Sequence, residues 1–495
     1  MPPRLDCLVI GSGPSGVACA SALLAQGRSV LIVDAGLTID EAGAAASTET
    51  KRIPRKLIYG SDFPYRGASE HLKLDAHAMG AEPSFARGGL SNAWGAAALP
   101  YAAHDIADWP LSAEDLAPHY AACADMLGIA GEDDDLTEWL PLYAPPRGQL
   151  RASNQAQTLL HQMQRNRDRL HAQGLRFGRA RAAVKARDCT YCGLCLRGCP
   201  DKLIYSAAQT LEALSANPRF SYRADVVVET LSETSDGAIT RGVQRQSGEA
   251  LSFEANRIFI AAGALPTTAV LLRSAGAYDQ TLRMKDSQYF LAPLALFRGA
   301  ASARKEDLHT MAQLFLELRD PAISPHTIHM QVYTYNDVMA EAMRQRLGVF
   351  SPLARFGDAH FVLIQGYLHS NHSGEIELTL RQDRLEARGI PNPEARKRII
   401  ALMRKLMQLA PSIGAIPLTP LMEITEPGRG FHIGGAFPMQ ATPQRFETDL
   451  LGRPFGWTRI HAVDASILPS IPATTITYPV MANAHRIGTE AGALQ

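Results

Sequence analysis

One βαβ pattern near the start of the chain most restricts how it can fold. An apolar run leads directly into the glycines Gly11, Gly13 and Gly16, a helical stretch of small residues follows, and a second apolar run ends at Asp34. In a G-x-G-x-x-G turn the first glycine makes the bend, the second admits a pyrophosphate, and the third lets helix and strand pack closely. The acid is placed to bind a ribose hydroxyl. The pattern predicts a dinucleotide-binding α/β domain; the alternative is a glycine-rich turn in an unrelated α/β domain.

Two later segments are expected to return to the same sheet. The run 257–264 is an apolar strand that ends in small residues, and Asp225–Glu229 has the composition of another strand. A strand that ends in small residues lets the backbone pass close to a bound cofactor. We therefore place Val227, Ala262 and Gly263 at the cofactor. A simple NAD domain need not return to its sheet this late in the chain, which favours FAD.

Four cysteines form a second, unusual motif. Cys189, Cys192, Cys195 and Cys199 follow the spacing C-x2-C-x2-C-x3-C-P, which holds iron–sulfur clusters in bacterial ferredoxins. Cys199 could close a four-iron cluster, the cluster could have three irons, or Cys123 could join as a remote ligand. A zinc site or an inert reduced loop is the alternative, although structural zinc sites usually separate their cysteine pairs. A disulfide framework fits poorly, because no export signal accompanies the seven cysteines.

Composition excludes several classes of partner. Lys plus Arg and Asp plus Glu each number 49, so there is no basic field to attract nucleic acid or a membrane surface. No apolar run approaches the ~20 residues of a transmembrane helix, and the first residues lack the apolar core of a secretory signal. We expect a cytoplasmic protein with no membrane span.

Further motifs give the chain a family resemblance. It resembles the glucose–methanol–choline (GMC) family of FAD oxidoreductases, with a leaning toward the pyranose-oxidase-like branch. The matching segments span the chain and comprise Gly11–Gly16 with Asp34, Arg87–Gly95, Ala261–Ala264, His432–Met439 and Val463–Pro469.

The resemblance implies an interleaved α/β architecture. A doubly wound, Rossmann-like FAD domain would comprise residues 1–284, including an iron–sulfur loop at 185–202, together with residues 425–495. A substrate domain at 285–424 would be α+β, built on an antiparallel sheet. Local patterns agree, because strand-like or helical sequences occur at His326–Tyr335, Phe361–Tyr367, Glu375–Leu380 and Glu394–Leu409.

The resemblance also implies site residues. The pyrophosphate and flavin edge would be cradled by Gly88, Gly89, Ser91 and Asn92, and the ribityl region would meet Asp464 and Ala465. Some relatives attach flavin through a histidine at the position of Ala93, so we expect non-covalent FAD here. His432 would be the base that takes the hydroxyl proton. The second active-site position, usually His or Asn, falls on Thr475, which can bind a substrate oxygen but cannot share a proton in the same way.

Together these features predict an FAD-dependent dehydrogenase that oxidises the CH–OH group of an alcohol, sugar or natural product. The iron–sulfur cluster would relay electrons one at a time to or from a ferredoxin-like or quinone-linked partner. One alternative is an FAD/iron–sulfur electron-transfer subunit or reductase that acts with a partner protein. Another is a cluster-free oxidase that uses oxygen.

Overall fold

The computed structural model describes residues 5–39, 58, 61–336, 340 and 359–494. Its strands, in chain order, are β1 (Leu5–Ile10), β2 (Val30–Val33), β3 (Leu74–His77), β4 (Ile129–Ala130), β5 (Leu175–Arg179), β6 (Ala182–Ala183), β7 (Phe220–Arg223), β8 (Val226–Glu233), β9 (Ala238–Gln244), β10 (Ala250–Ile260), β11 (Thr281–Asp286), β12 (Tyr289–Leu296), β13 (Leu314–Asp320), β14 (Ser324–Tyr333), β15 (Phe361–Tyr367), β16 (Glu375–Leu380), β17 (Leu385–Ile390), β18 (Ala415–Pro417), β19 (Glu423–Ile424), β20 (Ile433–Gly434) and β21 (Ile460–Ala462).

The α-helices are named in the same way. They are α1 (Pro14–Ala25), α2 (Ala68–Leu72), α3 (Ala113–Leu127), α4 (Asn154–Arg165), α5 (Arg167–Ala172), α6 (Ala207–Leu214), α7 (Ala264–Ser274), α8 (Pro393–Ile413) and α9 (Thr477–Ala493). Among the described helices, none is long and apolar enough to cross a membrane.

The first sheet assembles strands from the beginning, middle and end of the chain. Its order is β7-β2-β1-β10-β9-β8, with β21 beside the last residues of β10. The pairs around β1, β2, β7, β10 and β21 are parallel, and β8 and β9 extend the sheet as an antiparallel pair. The central strands are apolar because both faces are covered. This arrangement confirms the predicted doubly wound α/β domain.

A second sheet separates an aliphatic face from a polar face. Its order is β18-β12-β15-β14-β13-β5, with β19 beside β12, and its pairs are antiparallel. One face buries side chains such as Phe290, Met330 and Ile364 with the apolar stripe of α8. The opposite face carries rings and amides. A third sheet has the order β20-β11-β16-β17-β3, and its strands alternate along the chain with those of the other two sheets.

Two predicted strands and one predicted helix are found in the structure. The strands Phe361–Tyr367 and Glu375–Leu380 are found as predicted, whereas the helix predicted from Glu394 to Leu409 extends further at both ends. Its start is set by Asn392, whose side chain accepts a hydrogen bond from the Glu394 amide, and its end by Gly414 in a left-handed conformation. The helix therefore ends at its capping residues and not at the last apolar residue.

The domain boundaries 1–284, 285–424 and 425–495 stay predictions. In the structure, β5 belongs to the second sheet and α4 to its hydrophobic core, although both elements lie within residues 1–284. The chain therefore enters the second sheet well before residue 285.

We predict that Gly488→Ala destabilises the fold. A methyl group at Gly488 on α9 would lie 2.8 Å from the carbonyl oxygen of Cys19 on α1 and 3.0 Å from Ala22 Cβ. The overlap should cost about 1–3 kcal/mol of unfolding free energy, partly offset by up to ~1 kcal/mol of helix propensity. Denaturant unfolding measures this change, with the neighbouring Thr489→Ala as the control. Equal stability of both variants would show that the two helices are not closely packed.

Candidate functional site

A cavity of about 390 Å³ lies between the first sheet and the polar face of the second, a volume typical of small-molecule and cofactor sites. Its nucleotide end is formed by the turn between β1 and α1. A Cβ at Gly11 would overlap the carbonyl oxygen of Ala261, whereas a Cβ at Gly13 would meet nothing within 4 Å. No side chain caps the start of α1. The uncapped amides and the open space at Gly13 fit a pyrophosphate.

Asp34 belongs to a buried hydrogen-bonded group at this end. Its carboxylate accepts a hydrogen bond from the Ser12 hydroxyl, and the same hydroxyl accepts one from the Gly88 amide at 2.9 Å. Burial raises the pKa of Asp34 to about 6, against the effect of the Ser12 bond. Ser12 therefore joins the glycine turn, the acid at the end of β2 and the loop around Gly88.

Most of the predicted site residues meet at this cavity. The wall includes ten of the thirteen predicted cofactor residues and both candidate catalytic residues, namely Gly11, Gly13, Asp34, Gly89, Ser91, Val227, Ala262, Gly263, Asp464, Ala465, His432 and Thr475.

Three predicted residues support the wall from behind. Gly16 has no room for a Cβ because one would overlap the Gly11 carbonyl. Gly88 has φ +87° and donates its amide to Ser12. The Asn92 amide donates to the carbonyls of Arg87 and Gly89 at 2.9 and 2.8 Å. These residues shape the cavity without lining it.

Asp464 holds two distant parts of the chain at the cavity. Its carboxylate accepts hydrogen bonds from the Gly263 amide at 2.9 Å, the Ser466 amide at 2.9 Å and the Thr267 hydroxyl. The carboxylate is thus occupied by protein donors, and the backbone around Ala465 forms the wall.

His432 marks the other end of the cavity. Its ring stacks on Tyr367 with centroids 4.6 Å apart and planes 18° apart. Burial, with a smaller contribution from His329, lowers the pKa of His432 to about 3, so the imidazole is neutral at neutral pH. Within the described residues, its Nδ1 atom is buried and has no hydrogen-bond partner. Thr475 accepts a hydrogen bond from the Leu99 amide at 3.1 Å, which leaves its hydroxyl proton to donate.

Sequence reasoning missed the two glutamines of the second sheet. Gln331 and Gln365 are cross-strand neighbours on β14 and β15, and both line the cavity with Tyr333 and Tyr367. Their signal was the recurrence of amides and rings at alternate positions, since residues i and i+2 of a strand share one face. Sequence alone did not show which face pointed at the cavity.

The four cysteines of the loop line one small, separate cavity. It is also walled by apolar groups, including Ile204 and Met311. The Leu203 amide donates to Cys199 Sγ at 3.4 Å, and none of the described cysteines forms a disulfide. Burial raises the pKa of Cys189 and of Cys195. Cys123 lies in the main core on α3 and does not line this cavity.

No group of three or more His, Cys, Asp or Glu among the described residues has the geometry to hold one metal ion. The cysteines of a four-iron cluster ligate different iron atoms, so their sulfurs need not converge on a single point. Four thiols around one apolar cavity, with an amide directed at a sulfur, fit a cluster on this chemistry.

Trp94 packs against a hydrophobic cluster next to both cavities. It lines the larger one, its indole N–H donates to the Tyr205 carbonyl at 2.8 Å, and it packs in the same small hydrophobic cluster as Cys195 and Ile204. Side chains from both cavities therefore pack against one hydrophobic cluster.

Known proteins of similar sequence or structure support the fold described above. No family model matches the chain. It is 26% identical over 303 residues to 6'''-hydroxyparomomycin C oxidase of Streptomyces lividus, a match covering 55% of this chain and 51% of that protein. The match therefore spans about half the length of this curated relative.

Solved structures match over nearly the whole chain. Pyridoxine 4-oxidase from Mesorbium loti has a TM-score of 0.62 at 15% identity, covering 98% of this chain and 99% of its own. A formate oxidase from Aspergillus oryzae RIB40, studied for its FAD modification, has a TM-score of 0.63 at 13% identity, with 98% of each chain covered. The chain has the fold of the GMC oxidoreductases, as the sequence resemblance implied.

We predict that two glycine variants separate cofactor binding from folding. Gly13→Ala should fold normally, because its Cβ meets no atom within 4 Å, yet bind FAD at least about tenfold more weakly because the methyl group occupies the pyrophosphate space. Gly16→Ala should impair folding, because its Cβ overlaps the Gly11 carbonyl. Fluorescence titration of the apoprotein with FAD and its thermal unfolding measure the two effects. Unchanged FAD affinity in Gly13→Ala would place the pyrophosphate elsewhere.

Proposed function

We propose that this protein is an FAD-dependent oxidoreductase that oxidises the CH–OH group of a small molecule to a carbonyl. The observation that carries the proposal is His432, a neutral imidazole on the wall of the cavity, with a buried Nδ1 that lacks a partner among the described residues. Buried polar atoms are rarely left unpaired except where they serve a function. The names of the similar proteins, all oxidases, support the same reaction class.

Different residues on the cavity wall would bind the cofactor and act on the substrate. The α1 amides, Gly13 and Asp34 would hold the dinucleotide, and the backbone around Ala465 would hold the ribityl region. When bound, FAD supplies the two-electron acceptor for the hydride of the substrate carbon. His432 would take the proton of the substrate hydroxyl, and the Thr475 hydroxyl would donate to the same substrate oxygen and orient it. At Ala93 the side chain offers no atom for a covalent flavin bond, so the cofactor would be non-covalent.

We further propose that the cysteine loop holds an iron–sulfur cluster through Cys189, Cys192, Cys195 and Cys199. The cluster would have four irons, and a three-iron cluster is the alternative. A cluster supplies one-electron transfer, which suits a dehydrogenase working with a ferredoxin-like or quinone-linked partner. Trp94, which lines the larger cavity and packs against the same hydrophobic cluster as Cys195, supports a connection between the two sites.

A second candidate is an oxidase that uses oxygen and has no cluster. The names of the three similar proteins favour it. In this case the cysteine loop would be a reduced structural loop. Oxygen consumption with substrate, measured beside the iron content, separates the two candidates.

His432→Ala should slow substrate-driven reduction of the flavin about 10²–10⁴-fold, the usual worth of a general base. The exposed His104 provides a control, since His104→Ala should leave the rate unchanged. Anaerobic stopped-flow absorbance of the holoprotein measures this rate. A normal rate in His432→Ala would instead favour an electron-transfer subunit whose partner performs the substrate chemistry.

The pH dependence gives a separate check on His432. Because burial lowers its pKa to about 3, the imidazole stays unprotonated, and able to accept a proton, at any pH well above 3. We expect kcat/KM to show no acidic fall with a midpoint near the ordinary histidine value of ~6.5 between pH 8 and 5. A fall centred near that value would show that His432 is solvated in the working enzyme.

Anaerobically purified protein should contain about four irons and four acid-labile sulfides per chain. Cys195→Ala should lose most of this iron, whereas Cys123→Ala, whose thiol lies in the main core, should keep it. Iron and sulfide assays with electron paramagnetic resonance measure the cluster. Protein with flavin but without iron or sulfide would rule out the relay and leave the oxidase.

A further inference from the structure

The cysteine loop has an inner side and an outer side. Cys195 packs with Ile204 against the small hydrophobic cluster that Trp94 also contacts, so this part of the loop is turned toward the protein interior. Cys192, by contrast, is exposed, and the neighbouring Leu194 is 41% exposed. A redox group held by the four thiols would therefore be accessible to another molecule from the outer side.

Cations outnumber anions on this loop. Residues 185–202 contain two exposed acids, Asp188 and Asp201, and four exposed cationic side chains. The cations are Lys185, Arg187, Arg197 and Lys202. Because the whole chain has equal numbers of cationic and acidic residues, this excess is local. No ion pair joins any of the four cations to another residue that the structure describes, so their charge is not neutralised within the described part of the chain.

Backbone hydrogen bonds gather these side chains near the exposed thiol. The Lys185 amide donates at 3.1 Å to the carbonyl of the residue that follows Lys202, which brings the two ends of the loop together. The Arg197 amide donates to the Leu194 carbonyl at 2.7 Å, so a cation lies beside the exposed leucine. The outer side thus combines one apolar side chain with surrounding positive charge.

The charge of a bound cluster belongs in the same balance. Thiolates are anionic ligands, and inside the loop they would offset part of the field of the cations. Arg151 adds a fifth exposed cation at the edge of the loop, with its guanidinium 3.9 Å from the centre of the Tyr191 ring. Three of the four cysteines are only partly exposed, whereas the cations are exposed, so a protein that docks from outside meets the cations first.

This arrangement favours one kind of electron-transfer partner. Protein interfaces commonly have an apolar centre and a polar rim, and complementary charges accelerate the encounter of two proteins. A quinone is uncharged and gains little from exposed cations. The outer side of the loop therefore fits a protein with an acidic surface better than it fits a quinone.

We define the loop face as the surface formed by Lys185, Arg187, Cys192, Leu194, Arg197 and Lys202. We infer that the loop face docks a small, acidic protein that carries one electron at a time. The inference rests on the proposed cluster, and it adds the chemistry of the partner and the place where it binds. For each substrate oxidised, two carriers would each accept one electron, no bond would form or break at the loop face, and two protons would go to solvent.

Binding tests the loop face apart from turnover. Surface plasmon resonance on the anaerobically purified protein should show binding of an acidic plant-type ferredoxin, with a basic mitochondrial-type cytochrome c at least about tenfold weaker. The ferredoxin affinity should fall at least about tenfold when sodium chloride rises from about 20 to about 200 mM, because salt screens exposed charges. Equal or tighter binding of the cytochrome, or a ferredoxin affinity that salt does not change, would overturn the inference.

Charge reversal tests the named cations. At about 100 mM sodium chloride, where screening acts over ~10 Å, the double variant Arg187→Glu/Lys202→Glu should bind the ferredoxin at least about fivefold more weakly. The matched control Arg241→Glu/Arg388→Glu makes the same change of net charge at exposed positions of β9 and β17, and it should keep most of the affinity. Equal losses in the two double variants would show that net charge alone matters and would overturn the loop face.

The same double variant should leave the rest of the protein intact. Neither Arg187 nor Lys202 lines either cavity, so the iron content and the rate of substrate-driven flavin reduction should equal those of the unmodified protein. If iron is lost, the neutral variant Arg187→Gln/Lys202→Gln takes its place and should weaken ferredoxin binding by a smaller factor. Unchanged ferredoxin affinity in a variant that retains its iron would place the partner elsewhere.

The loop face and the proposed relay fail separately. Protein that contains the cluster and reduces its flavin with substrate, yet does not bind the ferredoxin, would overturn the loop face and leave the proposed function. Protein without iron that still binds the ferredoxin, and loses this binding in Arg187→Glu/Lys202→Glu, would overturn the relay while the acidic partner stands.

Discussion

The carboxylate of Asp464 connects the parts of the chain on which the cavity depends. Its bonds to the Gly263 and Ser466 amides join the start of α7 to the segment after β21. Both segments lie at the carboxyl ends of parallel strands, where open α/β sheets bind their ligands. A buried carboxylate needs such donors, since an unpaired charge would be costly. The hydrogen bonds of the Asp464 carboxylate thus hold the segments around Gly263 and Ser466 at the same end of the sheet as the glycine turn.

The second sheet holds polar side chains in place through its packing and its register. Its aliphatic face packs on α8 and α4, and this packing fixes the register of β13, β14 and β15, because a slip of one residue would turn every side chain to the other face. The register places Glu317, His329 and Tyr367 in one row across the sheet, and Gln331 and Gln365 in the next. Glu317, His329, Gln331 and Tyr333 bond to one another along this face, and Gln331 and Gln365 line the cavity.

His432 joins these two layers. β20 pairs with β11 in the third sheet, while the ring of His432 stacks on Tyr367 of the second. Burial keeps the imidazole neutral at neutral pH. His432, the two glutamines and the glycine turn of the first sheet therefore line one cavity, each held by a different sheet.

The local signals in the sequence determined the βαβ unit, the return of the 257–264 strand, the helix before Gly414 and the spacing of the cysteines. These features depend on steric preferences and periodicities that operate within a few residues. They also identified Gly11, Gly13 and Asp34 as candidates, whereas His432 became a candidate through the family resemblance. Only the tertiary structure decided that Gly16, Gly88 and Asn92 support the wall from behind, that Cys123 lies apart from the cysteine loop, and that Gln331 and Gln365 line the cavity. Strand register and the choice of the face turned toward the cavity depend on contacts between residues far apart in the chain, and no local pattern carries that information.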